Sequence, residues 1–323
     1  MSAVATWLSL WILKRWAPRI GLMACAGEHR AHSEPTPMVG GIALAIAVIG
    51  ALCLMGDHPG LGFGILLLSF IGVIDDRFEI PHFWRFVVQT LAAWLIVSVD
   101  GMSLFNLGEL VPGGTVYPGR WTTAVTIFSV VGVINALNMS DGMDGLVGSL
   151  CLAMVLFFLL LGAPDTTLLW VLALSLLVFL SFNLRLNGHA ARVYLGDSGS
   201  TVLGFILSWF LIRYSQGETA VLSPVSGLWI LALPLMDAVS VLFGRPIKGL
   251  SAFSADRSHY HHKILRYAGS VNIALTIILT ITVLGFGVAY AVAVGMVSEP
   301  VGFGAFLAIF GVWFIGYLVS KPD

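Results

Sequence analysis

The chain has 323 residues, of which 58% are hydrophobic and only 10% charged, with a formal net charge of −1. Soluble domains carry about 25% charged residues, so a water-soluble globule is excluded as the main body of the molecule, and so is the global basic field that nucleic-acid binding needs. Cys25, Cys53 and Cys151 lie far apart and form neither a disulfide framework nor a CxxC zinc motif.

Apolar runs follow one another, separated by short polar connectors. A helical span needs about 17–25 mainly apolar residues. The first run, Val4–Leu13, is followed rather than preceded by Lys14, Arg15 and Arg19, the reverse of a secretory signal. It suits a span entering from outside. Being short, it either tilts and extends towards Leu22 or belongs to a start that the sequence represents incompletely. Further spans are predicted near Met38–Met55, Gly60–Ile74, Phe83–Val99, Trp121–Leu137, Leu146–Leu161, Leu168–Phe182, Thr201–Tyr214, Val221–Phe243, Val271–Val294 and Val301–Val319. Lipid offers backbone polar groups no partner, so all should be helices. The expectation is an all-α integral membrane protein, one domain over 1–323, a polytopic bundle of about 10–11 transmembrane helices.

If the spans alternate sides, all of the 16 Lys and Arg residues except Arg120 and Arg213 share one side. The positive-inside rule makes that side cytoplasmic. Five polar clusters fall on the same side: His29–Pro37, Asp75–Arg77, Asn135–Asp144, Asn183–Ser200 and Arg245–Arg266. A soluble substrate arriving from the cytosol would meet such a face, whereas a transporter more often keeps its coupling groups near the midplane.

Each cluster carries its own chemistry. Asp75 and Asp76 close the third run in GVIDDRFEIP. Adjacent carboxylates there repel unless a cation or proton relieves them, although a plain helix stop also accounts for acids at this point. NALNMSDGMDGLVGS supplies Asn138, Asp141 and Asp144 beside glycines that permit a tight backbone. Such hard oxygen donors suit Mg²⁺, which commonly sits between one or two carboxylates and substrate phosphates; an Asn/Asp/Gly turn is the plainer alternative. VYLGDSGST places Asp197 in a small-residue turn opening a helix, whose N–H groups could face a phosphate. SADRSHYHHKILR gathers Arg257, His259, His261, His262 and Lys263. With no HExxH helix or cysteine partner, a cationic cradle for a diphosphate fits this loop at least as well as a metal site, and a solvated basic loop fits too. Asp237 lies inside a span and should face the bundle interior.

Taken in order, HSEPTPMVGG, DDRFE, NALNMSDGMDGL, VYLGDSGS and DRSHYHH resemble the polyprenyl-phosphate N-acetylhexosamine-1-phosphate transferase superfamily, glycosyltransferase family 4, over nearly the whole chain. PLMDAVSV followed by KGLSAFSADRSHYHH is similar to its undecaprenyl-phosphate N-acetylglucosamine-1-phosphate transferase branch. The peptidoglycan-translocase branch typically has another histidine triplet and a Lys-containing first motif, where this chain has Arg30 and His32. The resemblance implies transfer of an N-acetylhexosamine 1-phosphate, GlcNAc-1-phosphate for this branch, from a UDP-sugar to undecaprenyl phosphate with release of UMP. That is a first membrane step of surface polysaccharide synthesis (O-antigen, common-antigen or teichoic-acid type) in the bacterial cytoplasmic membrane, with the active site facing the cytoplasm.

It further implies Mg²⁺, with Mn²⁺ as a substitute, at Asn138 and Asp197, and a reacting centre of Asp75, Asp76, Asp141 and Asp144 with His262. Asn183 and Tyr194 would hold and stack the uracil, and Arg257, His259 and His261 would contact diphosphate or sugar, with His32 in the first motif also binding substrate. Direct attack of the lipid phosphate on the β-phosphorus is preferred to a phospho-aspartyl enzyme. Another UDP-N-acetylhexosamine or the muramoyl-pentapeptide nucleotide is the alternative donor. The rival class is an ion-coupled transporter with Asp237 at the midplane, against which the sequence shows no internal repeat. Expected partners are the two substrates and membrane lipid, with no nucleic acid; a homodimer is left open.

Overall fold

The computed structural model describes residues 1–24, 35–185, 189–251 and 259–320. Each of the eleven predicted spans is helical, and among the described residues strand is confined to the two-residue pair Met23–Ala24 and Thr36–Pro37 and to isolated bridges. The protein is an all-α polytopic membrane protein. Among the described residues, four helical segments are long and apolar enough to cross a bilayer: Gly119–Met139, Thr166–Asn183, Val271–Ala293 and Glu299–Val319.

The chain divides into two compact units, interleaved along the sequence: Met1–Met102 with Thr126–Phe210, and Ser103–Val125 with Leu211–Asp323. The first unit holds α1 (Ser2–Ile20), α2 (Gly40–Met55), α3 (Pro59–Phe78), α4 (His82–Ser98), most of α5 (Thr122–Met139), α6 (Leu146–Leu160), α7 (Thr166–Asn183) and the first part of α8 (Asp197–Ser215). Its core is apolar and aromatic, with Phe158, Phe179, Phe205 and Trp209 fully buried. Phe63, Phe70 and Phe128 are instead well exposed, as lipid-facing side chains should be. α3 starts at Pro59, whose missing N–H is no loss in a first turn. The next two N–H groups, of Gly60 and Leu61, are received by the Asp100 carboxylate at 2.7 and 2.8 Å. The short first run extends past Leu13 to Ile20, as it must to reach a spanning length.

In the second unit the run Val221–Phe243 is not one helix but two. α9 (Pro224–Ile230) and α10 (Ala232–Ile247) meet at 80°. Pro234 explains the break: it cannot donate to the carbonyl four residues back, Ile230, and is tolerated only in a first turn. The unit continues with α11 (Tyr260–Ala268), α12 (Val271–Ala293) and α13 (Glu299–Val319). α11 is a helix inside what the sequence presents as a basic loop, and it ends at Gly269 in the left-handed region, φ 66°.

Candidate active site

Asp75 and Asp76 lie in the last turn of α3, past the apolar run that ends at Ile74. The Ile80 N–H donates to Asp75 Oδ1 at 3.0 Å, and the chain reverses into α4. This reversal brings Arg85 back over the acids. Its Nη1 is 2.8 Å from Asp75 Oδ2 and 3.5 Å from Asp197 Oδ2, while Nη2 donates to Asn138 Oδ1 at 2.8 Å. Asn138 in turn donates from Nδ2 to Asp197 Oδ1 at 2.8 Å and to Ser200 Oγ at 2.9 Å. Residues far apart in sequence thus form one network at the ends of α3, α4, α5 and α8.

Asp76 turns the other way. Its two oxygens accept the N–H groups of Asp197 and Ser198 at 2.8 and 3.2 Å, capping α8 from a neighbouring helix. A negative charge is favoured at that end of a helix. The approach depends on two glycines: Gly196 turns the chain with φ +74°, and a β-carbon at Gly72 would collide with the Ser198 backbone. Burial, reinforced by the bond to Asp197 and opposed by Arg85, pushes the Asp75 carboxyl up to about 7. Burial and the Asp197 charge push Asp76 up to about 6, against the pull of its two N–H partners. Asp197 is the open member, its side chain 38% exposed. A small hollow of about 10 Å³, room for a single water, adjoins the network and is lined by Leu68, Ile71, Asp75, Arg85, Gln89 and Asp197.

Other expected site residues support this ground. Asp141 sits in the turn leaving α5, where its N–H bonds the Asn138 carbonyl at 3.1 Å. Asp144 pairs with Arg185 Nε at 2.7 Å. Asn183 is buried and engaged at both ends of its carboxamide: Oδ1 accepts from Gly145 N–H at 2.9 Å and Nδ2 donates to the Val193 carbonyl at 2.8 Å. It braces the acid turn against the 193–196 turn. Half-buried Tyr194 is bridged to Met38, its N–H donating to Pro37 O at 2.8 Å.

In the second unit, His259 Nδ1 lies 2.6 Å from Oδ2 of the buried Asp237, whose Oδ1 accepts the Tyr260 N–H at 2.9 Å. His261 is 1% exposed, and its ring lies nearly parallel to His259 with centroids 5.6 Å apart. Burial, with His262 and His259 as neighbours, holds the His261 ring well below the usual imidazole range, so it is neutral. His262 lies beside it, ring centroids 4.2 Å apart. His32 and Arg257 lie outside the described residues.

Arg85 is the network member that sequence reasoning passed over, since its charge serves equally well as one more positive-inside residue. Its place near the start of α4, directly after an acidic turn, was the available signal. Among the described residues no three His, Cys, Asp or Glu side chains form a preformed cation cage. Three oxygens do face one cationic group: Asp75 Oδ2, Asn138 Oδ1 and Asp197 Oδ2 all look towards the Arg85 guanidinium.

Known proteins resemble this chain over most of its length. The undecaprenyl-phosphate alpha-N-acetylglucosaminyl 1-phosphate transferase of Yersinia pestis is 33% identical over 97% of this chain and 88% of its own length. Its namesake in Escherichia coli (strain K12) is 32% identical over 91% of this chain and 81% of its own length. The Haemophilus influenzae protein of the same name is 31% identical, covering 81% and 77%. The sequence model of glycosyl transferase family 4 matches residues 58–215, the stretch that carries Asp75, Asp76, Arg85, Asn138 and Asp197. With this match, and with relatives of that identity over most of both chains, the protein belongs to glycosyl transferase family 4.

Proposed function

We propose that the protein transfers N-acetylglucosamine 1-phosphate from UDP-N-acetylglucosamine to undecaprenyl phosphate and releases UMP. The observation that carries the reading is the Asp75–Arg85–Asn138–Asp197 network, found within the stretch shared with relatives named for this transfer. Both substrates are anionic phosphates, so their mutual repulsion must be relieved first. Arg85, its guanidinium held between Asp75 and Asn138, supplies fixed positive charge that offsets phosphate charge. Asp75 orients that group. A phosphate oxygen of the lipid attacks the β-phosphorus, and the bond from that phosphorus to the bridging oxygen breaks. UMP leaves with the electron pair.

Mg²⁺ fits the donor set: hard oxygens of Asn138 and Asp197 would hold it, with substrate phosphates completing its shell, as Mg²⁺ prefers. When bound it supplies charge neutralisation at the diphosphate. Asp76 keeps Asp197 in place through the backbone of α8. Tyr194 offers its ring to the uracil, and Asn183 fixes the turn that presents it. Asp141 and Asp144 belong to the same reacting centre, with Asp144 held by Arg185. The segregation of Lys and Arg supports a cytoplasmic-membrane location with this face inward.

Detergent-purified protein should release UMP from UDP-N-acetylglucosamine only when undecaprenyl phosphate and a divalent cation are both present. No release under those conditions would overturn the reading. Competition with other UDP-N-acetylhexosamines and with the muramoyl-pentapeptide nucleotide identifies the donor. Equal use of all donors would refute the choice of N-acetylglucosamine.

A further inference from the structure

The one carboxylate buried within α10 makes two contacts, and both reach the start of α11. Asp237 is 2% exposed. Oδ1 takes the first N–H of α11, from Tyr260, and Oδ2 takes the His259 ring at Nδ1. An acceptor on both oxygens requires a donor on both partners, so Nδ1 carries the proton of this contact. Nε2 is then the one ring nitrogen left to a ligand. The stacked His261 ring flanks His259 and is itself buried, with neither nitrogen hydrogen-bonded among the described residues. Between the carboxylate and the stack, His259 has little freedom to turn, although its side chain keeps 12% exposure.

We infer that Asp237 is a positioning residue for phosphate binding by the histidine segment: it fixes the His259 tautomer and ring so that Nε2 is the nitrogen left to a phosphate oxygen. This rests on the transferase reading above. A carboxylate behind an imidazole fixes tautomer and orientation and steadies the ring when it carries charge, a division of labour known from hydrolytic triads. The same carboxylate secures the backbone from which His259 projects. One acid thus sets both the place and the direction of the imidazole.

Two measurements test the inference. In protein carrying ¹⁵N-labelled histidine rings, the spectrum should contain a strongly downfield Nδ1-bound proton that disappears in His259→Gln. A His259 ring protonated on Nε2 alone would overturn the proposal, with no Asp237 variant needed. In UMP-release assays, Asp237→Asn and His259→Gln should each lower turnover about 10²-fold, and the double variant by the same factor, because the two act as a unit. Losses that multiply towards about 10⁴ would show independent roles and refute it. If wild-type protein released no UMP, the transferase reading would fall, and the ring-proton measurement would still decide whether Asp237 holds His259.

Discussion

Arg85→Met is the most informative single perturbation of the acid network. Methionine keeps much of the volume of the stem and removes the guanidinium. The Arg85 side chain is 17% exposed, and its guanidinium contacts Asp75, whose side chain is 5% exposed, at 2.8 Å, together with Asn138 at 2.8 Å. Removing one partner of a buried pair costs about 3–5 kcal/mol. Two features lower the figure here: the guanidinium is partly solvated, and Asp75, already pushed up to about 7, can take a proton instead. The expected loss is therefore about 2–3 kcal/mol. For a body of 150–250 residues each kcal/mol shifts Tm by about 2–4 °C, so a fall of roughly 5–10 °C should appear in thermal melts in detergent at neutral pH. Arg85→Lys should lose about half as much, since one ammonium cannot reproduce the fork between Asp75 and Asn138. An unchanged melting temperature in Arg85→Met would refute the view that this guanidinium holds the network together.

Asp197→Asn should melt within about 2 °C of the wild type, because its side chain is the open one, yet lose at least about 10²-fold in UMP release; normal turnover would remove Asp197 from the chemistry. Asn183→Ala should cost about 1–3 kcal/mol through an unpaired Gly145 N–H and Val193 carbonyl, and a melt equal to wild type would count against the brace. Gly72→Ala should destabilise by about 1–3 kcal/mol or more, because α3 and α8 must separate to admit the methyl group. Unaltered stability and turnover there would contradict the close approach.

Much of this molecule was legible in the sequence because lipid imposes one rule on every span. Hydrophobic runs gave the helices, and structure moved their ends by a few residues, mostly by adding polar turns that hydropathy cannot see, as in α3 beyond Ile74 and α8 from Asp197. The break between α9 and α10 escaped because the run stays apolar across it, although Pro234 marks it. Asp75 was legible as one of two crowded acids, Asn138 as a hard-oxygen donor and Asp197 as the acid of a turn that opens a helix. Their partners were not: Arg85 joins them through a tight reversal, and Asp144 finds Arg185 across 41 positions of chain. Such pairings arise from packing, and no local pattern encodes them. Asp76 likewise reads as a second acid, whereas in the fold it serves peptide N–H groups of another helix.

That cap has a practical corollary for engineering. Because Asp76 grips main chain rather than a side chain, the distance from the end of α3 to the open carboxylate of α8 is insulated from changes in neighbouring rotamers. Substitutions that repack side chains around these two helix ends should therefore leave the spacing of α3 and α8 unchanged, so surfaces nearby can be redesigned without moving this junction.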